Sequence, residues 1–303
     1  MQMKKASITS PATPLRGAAA QFVESKLAAG AVAFSLDELV ENTGLSIIAA
    51  RNQLLRLGNK VVRVSPRQQF FLIVRPDHQV MGGPPVEWWL DAYFRWLGRP
   101  YYLALQTAAA SHGSSPQAIQ VTQVMTDLPR RDLRIGRVRV HFFVKCAVAR
   151  TPTRQPIGAY APLCVSTPEA TAFDLVRYAP NIGGIERSAE TIAPMIPQMQ
   201  SSKLRGVLEA EDETTTAQRL GFILEAQGAD KLAKTIRAWL PQKLARIALA
   251  THAPENVKTI AANNRWQIFA NTMSLSFNRR ASVLNALDGC LSGPNPASHA
   301  TQR

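Results

Sequence analysis

Two short helix signatures in succession constrain this chain more than any other feature of its sequence. Ser35 is followed three residues later by Glu38, the capping-box pattern that begins a helix, and this helix is predicted to end at residues 42–44, Asn-Thr-Gly. Ser46 is the next N-cap, and Gly58 ends the second helix. Two short helices joined by a tight, glycine-containing turn are typical of a helix-turn-helix.

The flanking segments complete a known small domain. Apolar residues recur at spacings of three and four over residues 14–29, which predicts a preceding amphipathic helix. Two β-prone runs, residues 61–64 and 70–74, are separated by a polar turn that contains Arg67, which predicts a hairpin with a basic tip. Three helices followed by a hairpin form a winged helix-turn-helix.

The second helix divides into an apolar and a polar face. The apolar residues predicted to face the core are Ile47, Ala50, Leu54 and Leu57. Arg51, Asn52 and Arg56 then point outward. A helix fits the major groove of duplex DNA, where Arg pairs bidentately with guanine and Asn with adenine.

These side chains predict a site for double-stranded DNA. Arg51 and Asn52 are the predicted base readers. The predicted phosphate contacts are Ser46, Arg56, Lys60 and Arg67. The alternative interpretation is that these polar faces are solvated and that the winged domain mediates protein contacts.

The charge of the chain is consistent with a polyanionic partner. The 303 residues carry 35 Lys and Arg against 21 Asp and Glu, a net charge of +14. The excess lies at both ends, with +6 over residues 1–75 and +7 over residues 226–303. No apolar run approaches the length that spans a bilayer, and polar residues follow Lys4 and Lys5 where a secretory core would lie. We therefore expect a cytoplasmic protein that is not embedded in a membrane.

A break in composition suggests the domain boundary. Gly82-Gly83-Pro84-Pro85 joins two flexible residues to two that interrupt helices and strands. The predicted organisation is a disordered N-terminus at residues 1–13, a winged helix-turn-helix at 14–80, an α/β domain at 84–290 and a disordered tail at 291–303.

The second domain has a mixed pattern. The predicted helices are residues 86–97, residues 101–112, a helix capped by Thr167 with Pro168 at its first position, and most of the chain from about Gln218. The predicted strands are residues 119–125, 133–135 and 137–144. The fold class is α+β or α/β: a winged helix-turn-helix followed by a mixed α/β domain with a helical C-terminal part.

Motifs for catalysis, metals and cofactors are missing from the sequence. Cys146, Cys164 and Cys290 do not form Cys-x-x-Cys pairs, and the first two are predicted to be buried.

A nuclease needs paired carboxylates near a lysine, but Phe143 stands where the strand ending in Lys145 would need an acid. The acidic residues 209–213 are interpreted as a solvated helix boundary. Ser111 and His112 are adjacent in a helix and do not face each other, and His112 is expected to cap that helix. We expect no enzyme activity, catalytic residue, metal or cofactor.

Several segments of the second domain occur in a characteristic order: residues 97–105 and 108–113, Gly136-Arg137-Val138-Arg139 with Phe142-Phe143-Val144-Lys145, residues 166–176 and Gln218-Arg219-Leu220-Gly221. Together these segments resemble the AbiEi family of antitoxins from type IV toxin–antitoxin systems. The resemblance spans about residues 15–280 and includes the order of these segments behind a winged domain.

The resemblance implies a bacterial antitoxin whose winged domain represses its own operon by binding inverted repeats in the promoter. Its second domain would counteract a nucleotidyltransferase-like toxin, often without a stable complex, and the pair would protect against phage by abortive infection. Because inverted repeats are usually read by two protein copies, we expect a homodimer on DNA. The alternative is a stand-alone winged-helix transcriptional regulator without a toxin partner.

Overall fold

The computed structural model describes residues 17–114, 120–250 and 265–269. The predicted disordered segments, residues 1–13 and 291–303, lie outside the described residues, as does Cys290.

The described residues form ten α-helices and eleven short strands. The helices are α1 (Ala18–Ala28), α2 (Leu36–Thr43), α3 (Ile47–Arg56), α4 (Leu90–Leu97), α5 (Leu105–Ser111), α6 (Pro168–Arg177), α7 (Ile185–Ile192), α8 (Ser201–Glu211), α9 (Thr214–Ala226) and α10 (Asp230–Trp239). The strands are β1 (Ala33–Ser35), β2 (Val61–Arg63), β3 (Phe70–Ile73), β4 (Tyr101–Leu103), β5 (Thr122–Thr126), β6 (Leu133–Ile135), β7 (Val138–Val144), β8 (Thr153–Arg154), β9 (Val165–Ser166), β10 (Ile247–Ala248) and β11 (Ile268–Phe269). The structure confirms the mixed α/β class.

The chain divides into two compact units. The first contains the chain up to Pro100 together with Pro129–Phe142 and Ile157–Leu163, and the second contains Tyr101–Leu128, Phe143–Pro156 and the chain from Cys164 onward. The first unit thus includes segments on both sides of residues 82–85. The division into domains at 14–80 and 84–290 stays a prediction.

The first unit contains the winged helix-turn-helix. Its three-stranded antiparallel sheet has the order β1-β3-β2, so the predicted hairpin is present and pairs Val62 with Leu72. The predicted caps are also present, because the Ser35 hydroxyl accepts the amide of Glu38 and the Ser46 hydroxyl accepts the amide of Ala49. Each cap satisfies one of the free amides that begin a helix, which fixes where α2 and α3 start.

Strand β1 was not predicted from the sequence. Its three residues are too few to show an alternating pattern, and its central Phe34 is buried. The Phe34 ring stacks on Phe71 with 5.6 Å between centroids and meets the edge of Phe22 at 5.3 Å. This aromatic cluster holds the sheet against α1.

The first unit extends beyond the wing through α4 and the β6–β7 hairpin. Residues 86–97, predicted as one helix, instead form a 3₁₀ turn at Val86–Trp88 followed by α4. The Trp89 indole is fully buried and donates to the Pro84 carbonyl at 3.3 Å, which turns the chain between the two segments.

Two glycines allow the tip of the β6–β7 hairpin to pack against the loop that follows the wing. Gly136 has φ 58°, and a Cβ there would lie 2.3 Å from the Met81 carbonyl oxygen and 2.7 Å from the Cα of Gly82. The Arg137 amide donates to that same carbonyl at 2.8 Å. The hairpin tip is therefore fixed to the loop.

The second unit is a short sheet packed against helices. Its strands have the order β5-β4-β9-β8, with β4 antiparallel to β5 and parallel to β9. The prediction of one helix over residues 101–112 is wrong at its start, because Tyr101–Leu103 form β4 and α5 begins only at Leu105. This segment begins with Tyr101 and Tyr102, whose buried aromatic side chains are typical of a strand.

The predicted helices at Thr167 and from about Gln218 are present as α6, α9 and α10, but the described residues after α10 form the strands β10 and β11 where helix was predicted. Thr167 caps α6 by accepting the amide of Ala170 at 3.3 Å. In α9, a Cβ at Gly221 would lie 2.2 Å from the Trp266 ring, so only glycine leaves room for this fully buried indole. Gln218 donates to the Trp266 carbonyl at 2.5 Å. Gln218 and Gly221 of the Gln-Arg-Leu-Gly segment thus hold this buried tryptophan.

In the described part of the chain, no helix is both long and apolar enough to cross a membrane.

Candidate nucleic-acid interface

Helix α3 is held in the first unit by its buried side and by one side-chain hydrogen bond. Ala50 and Leu54 are buried in the core formed with α1 and α2. The Gln53 side-chain oxygen accepts the amide of Ala19 at 3.0 Å, which joins α3 to the start of α1. These contacts leave the opposite face of α3 exposed.

The predicted base readers lie on that exposed face. Arg51 and Asn52 are both exposed, and Arg56 is exposed at the last residue of α3. The Ser46 hydroxyl is engaged as the N-cap acceptor at 3.2 Å, and its O–H remains a donor at the helix N-terminus. The sequence of α3 includes no acidic residue.

Three apolar side chains share the exposed surface of α3. Ile47 was predicted to face the core, but it is 49% exposed, and the buried side of α3 begins at Ala50. Ile48 is 72% exposed and Leu55 is 79% exposed. Residues 48, 51, 52 and 55 therefore form a single stripe at i, i+3, i+4 and i+7, which we call the α3 stripe.

The wing places more positive charge beside this stripe. Lys60 and Arg67 are both exposed, one between α3 and β2 and the other in the turn of the hairpin. Arg63, which was not among the predicted site residues, is exposed on β2. Its guanidinium donates to the Pro66 carbonyl at 2.9 Å and lies 5.4 Å from the Phe71 ring centroid. The sequence signal that could have identified Arg63 as a site residue was its position in the alternating pattern of the wing strands.

A groove of about 460 Å³ separates α3 from the wing. It is lined by Arg51, Leu54, Leu55, Gly58, Val61, Arg63 and Phe71. Two arginines at an apolar groove can bind phosphate while an apolar side chain contacts a base methyl group. The predicted site residues thus lie on one helix and the adjacent wing of a single compact unit.

The second unit contains a buried ionic cluster that the sequence analysis missed. The Lys145 ammonium lies 2.9 Å from Asp174, 2.5 Å from Glu211 and 3.1 Å from the Tyr102 hydroxyl. The side chains of Lys145, Asp174 and Glu211 are at most 1% exposed. Glu211 also accepts from Thr151 at 2.9 Å. The interpretation of residues 209–213 as a solvated boundary is therefore wrong for Glu211, which is held inside by this lysine.

Burial governs the titration of this cluster. It raises the pKa of the Asp174 carboxyl, although the nearby Lys145 acts in the opposite direction. Burial also raises the pKa of the Tyr102 hydroxyl, and the adjacent Asp174 adds to this. Tyr102 therefore remains a donor, and its hydroxyl bonds Asp174 at 2.8 Å.

Cys146 and Cys164 are both free thiols. The prediction that both are buried is wrong, since Cys146 is exposed and Cys164 is half-buried. Cys146 follows directly on the buried Lys145, whose side chain occupies the interior at the end of β7. Among the described residues, no group of three or more His, Cys, Asp or Glu side chains could hold a metal ion.

His112 is buried at the end of α5. His112 was expected to cap α5, but its ring nitrogens contact groups outside that helix. Its Nε2 lies 2.8 Å from the Ser166 carbonyl and its Nδ1 lies 2.5 Å from the Arg154 guanidinium. Nε2–H therefore donates and Nδ1 accepts, which is the neutral tautomer. Burial lowers the pKa of His112 to about 4, and Arg154 contributes to the same shift.

This histidine predicts a loss of stability in acid. The fold lowers the pKa of His112 from 6.5 to about 4. The full stability is therefore present above pH 6.5, and the free energy of unfolding falls as the pH drops toward 4, because the unfolded chain is protonated first. We expect about 3 kcal/mol of unfolding free energy to be lost through this group. The measurement is urea unfolding of the full chain and of His112→Gln across this pH range. The variant should lose less stability than the parent, and equal losses would contradict the assignment.

A family model described as the AbiEi antitoxin C-terminal domain matches residues 102–226. This confirms the resemblance stated from the sequence over residues 102–226. A search of curated proteins finds no match to the chain.

Solved structures were also compared with the chain. The crystal structure of the RV2827C protein from Mycobacterium tuberculosis superposes with a TM-score of 0.61 at 14% identity, covering 88% of this chain and 94% of that one. At this identity the similarity shows the fold alone. The solution structure of the antibiotic-resistance factor ANT(2'')-Ia covers 50% of this chain and 86% of that chain at 12% identity, but its TM-score of 0.27 carries no argument.

Proposed function

We propose that this chain is the antitoxin of a type IV toxin–antitoxin pair and represses its own operon, because residues 102–226 match the family model of the AbiEi antitoxin C-terminal domain. The family match is the observation that carries the antitoxin role. We place the protein in the cytoplasm of a bacterium, where the pair acts in abortive infection against phage.

The proposed repression rests on the first unit. Arg51 and Asn52 read base edges from α3. The phosphate contacts are Ser46, Arg56, Lys60 and Arg67, with Arg63 added from the structure. Exposed Arg and Asn on one helix face, beside a basic wing, form a surface that suits the major groove. The ligand is double-stranded DNA containing the promoter inverted repeats.

Two copies of the chain bind each operator in this proposal. One recognition helix per chain matches one half-site, and the two-fold symmetry of an inverted repeat calls for a second copy. The homodimer on DNA is therefore part of the proposed function.

The toxin partner follows from the family resemblance. We propose a nucleotidyltransferase-like toxin that is counteracted without a stable complex. We also propose that the antitoxin is not an enzyme and needs no cofactor. The enclosure of Lys145 by Asp174 and Glu211 supports a structural role for these ionisable groups.

The DNA part of the proposal is tested by titration against two duplexes of equal length. One carries the DNA immediately upstream of the coding sequence, and the other has a random sequence. Operator binding should exceed random binding by roughly 10³ or more, and log affinity should fall linearly with log salt. Equal affinities would contradict a repressor. Specific binding by a chain with no toxin to counteract would favour the stand-alone winged-helix regulator.

The α3 stripe gives a prediction about the bases it reads. Ile48 and Leu55 flank Arg51 and Asn52, and exposed apolar side chains can contact the thymine methyl group. Replacing thymine by uracil in the upstream duplex should lower affinity about fourfold for each methyl group contacted, since burying one such group contributes about 0.8 kcal/mol.

The control for this measurement is the double variant Ile48→Ala, Leu55→Ala, which lacks both apolar side chains of the α3 stripe. It should bind the thymine and uracil duplexes equally well. If the parent chain binds both duplexes with the same affinity, the stripe does not contact methyl groups.

A further inference from the structure

The first unit contains a further cavity between α1 and the end of β3, with a volume of about 200 Å³. We call it the α1 cavity. It shares no lining residue with the groove between α3 and the wing, so it is a separate site. Pockets for drug-sized ligands measure about 300 to 1,000 Å³, and this cavity therefore suits a smaller molecule.

One wall of the α1 cavity is a single face of α1. It consists of Ala20, Val23, Glu24 and Leu27, which follow one another at i, i+3, i+4 and i+7. Three of these side chains are apolar, and Glu24 is exposed. The helix thus presents one carboxylate among hydrocarbon groups.

Two backbone hydrogen bonds set the opposite wall. The Lys60 amide donates to the Leu57 carbonyl at 3.2 Å, and the Lys60 carbonyl accepts the Val74 amide at 2.8 Å. Because Arg75 follows Val74 directly, these bonds hold the backbones of Lys60 and Arg75 close together. Both residues line the cavity, so this wall carries two cations.

The interior of the α1 cavity is aliphatic. Val23, Ile73 and Val74 are buried, and Leu27 and Leu57 are half-buried. A ligand that places hydrocarbon against these side chains removes apolar surface from water, which is favourable. Since all five residues are aliphatic, the lining suits a branched aliphatic group.

The charged side chains around this lining are available to a ligand. Glu24 and Lys60 make no ion pair with any other described residue. The Nε of Arg75 lies 3.4 Å from Asp77, and its guanidinium carbon lies 5.8 Å from the Trp88 ring centroid. These contacts position the guanidinium and leave its terminal amino groups as donors. One carboxylate and two cations beside an apolar cavity complement a zwitterion.

We propose that the α1 cavity binds a free α-amino acid with a branched aliphatic side chain. The carboxylate of the ligand pairs with Lys60 and Arg75, because guanidinium and ammonium groups bind carboxylates through charge-assisted hydrogen bonds. The ammonium of the ligand pairs with Glu24, and its side chain lies against Val23 and Ile73.

Binding in the α1 cavity has a consequence for DNA. Lys60 is also one of the proposed phosphate contacts, and its ammonium is drawn to the ligand carboxylate when the cavity is filled. The amino acid therefore weakens DNA binding, and DNA weakens binding of the amino acid by the same factor. This consequence rests on the proposed DNA-binding function, whereas the binding site itself does not.

The binding site is tested by calorimetric titration of the full chain without DNA. The probes are L-leucine, isocaproate, which is leucine without its ammonium, and isoamylamine, which is leucine without its carboxylate. Leucine should bind saturably at one site per chain, and roughly tenfold or more tightly than either analogue, because each analogue lacks one charged contact. A solvated depression between α1 and β3 would give no saturable heat.

Two variants assign the charged contacts. Glu24→Gln should weaken leucine binding by roughly tenfold and leave isocaproate binding unchanged. Arg75→Gln should weaken the binding of both ligands. The matched controls are Glu41→Gln on α2 and Arg205→Gln on α8, which change exposed residues away from the cavity and should bind like the parent chain. If Arg75→Gln fails to fold, Lys60→Gln tests the same carboxylate contact.

The consequence for DNA is measured by titrating the upstream and random duplexes over a range of salt, with and without saturating leucine. Leucine should lower the affinity for both duplexes. It should also make the plot of log affinity against log salt less steep by about 0.9, which is the loss of one phosphate contact. Lys60→Gln should show the shallower slope without leucine.

Absence of saturable leucine binding would overturn the proposal. So would equal leucine affinity in Glu24→Gln and Glu41→Gln, or isocaproate binding as tight as leucine binding, since either result means that Glu24 does not hold the ammonium. Leucine binding that leaves the salt slope unchanged would overturn the effect on DNA. If the parent chain does not prefer the upstream duplex, the repressor function fails, while calorimetry still reports on the cavity.

Discussion

Replacing Arg51 and Asn52 together with alanine is expected to abolish preference for the operator while leaving the fold intact. Both side chains are exposed on α3. A bidentate contact contributes about 1 to 3 kcal/mol of base discrimination, so the pair should cost at least roughly 30-fold in operator affinity. The measurement is a gel-shift titration with the upstream and random duplexes.

The matched control for this variant is Arg205→Ala, which removes an exposed arginine of α8 in the second unit. It should bind like the parent chain. Random-duplex affinity of the Arg51 and Asn52 variant should fall far less than operator affinity, because the phosphate contacts of the wing remain. Unchanged operator affinity would show that α3 does not read bases.

The largest effect on stability is expected from Lys145→Met. The change leaves Asp174 buried without a cation and leaves Glu211 with Arg177 alone, at 3.3 Å; both carboxylate side chains are at most 1% exposed. Breaking a buried ion pair from one side costs about 3 to 5 kcal/mol. Urea unfolding should therefore show a large fall in the free energy of unfolding.

Two further variants separate charge from packing. Lys203→Met makes the same substitution at an exposed position of α8 and should change stability little. Combining Lys145→Met with Asp174→Asn and Glu211→Gln removes the two buried carboxylate charges and should recover part of the loss. If Lys145→Met is as stable as Lys203→Met, the cluster does not stabilise the second unit.

Local signals in the sequence predicted the winged part well. The hydroxyls of Ser35 and Ser46 act within one helical turn, so their capping roles are visible in sequence spacing alone. The hairpin of β2 and β3 follows from two short β-prone runs. These elements position Arg51 and Arg67, and so most of the candidate site was accessible from local pattern.

Features that depend on distant residues were missed. The pairing of Lys145 with Asp174 and Glu211 spans 29 and 66 residues, and no spacing rule connects them. The exposure of Ile47 could not be seen either, because helical periodicity does not reveal how far the core reaches along α3. Likewise, only the fold shows that Gly136 packs against Gly82.

Growth of a host that expresses the neighbouring toxin gene tests the central claim most directly. The full chain and its Arg51→Ala, Asn52→Ala variant are each supplied from an unrelated promoter, so that autorepression cannot alter their levels. Both should restore growth, because the antitoxin role is assigned to the domain at residues 102–226 and not to α3. Failure of the full chain to restore growth would contradict the antitoxin role.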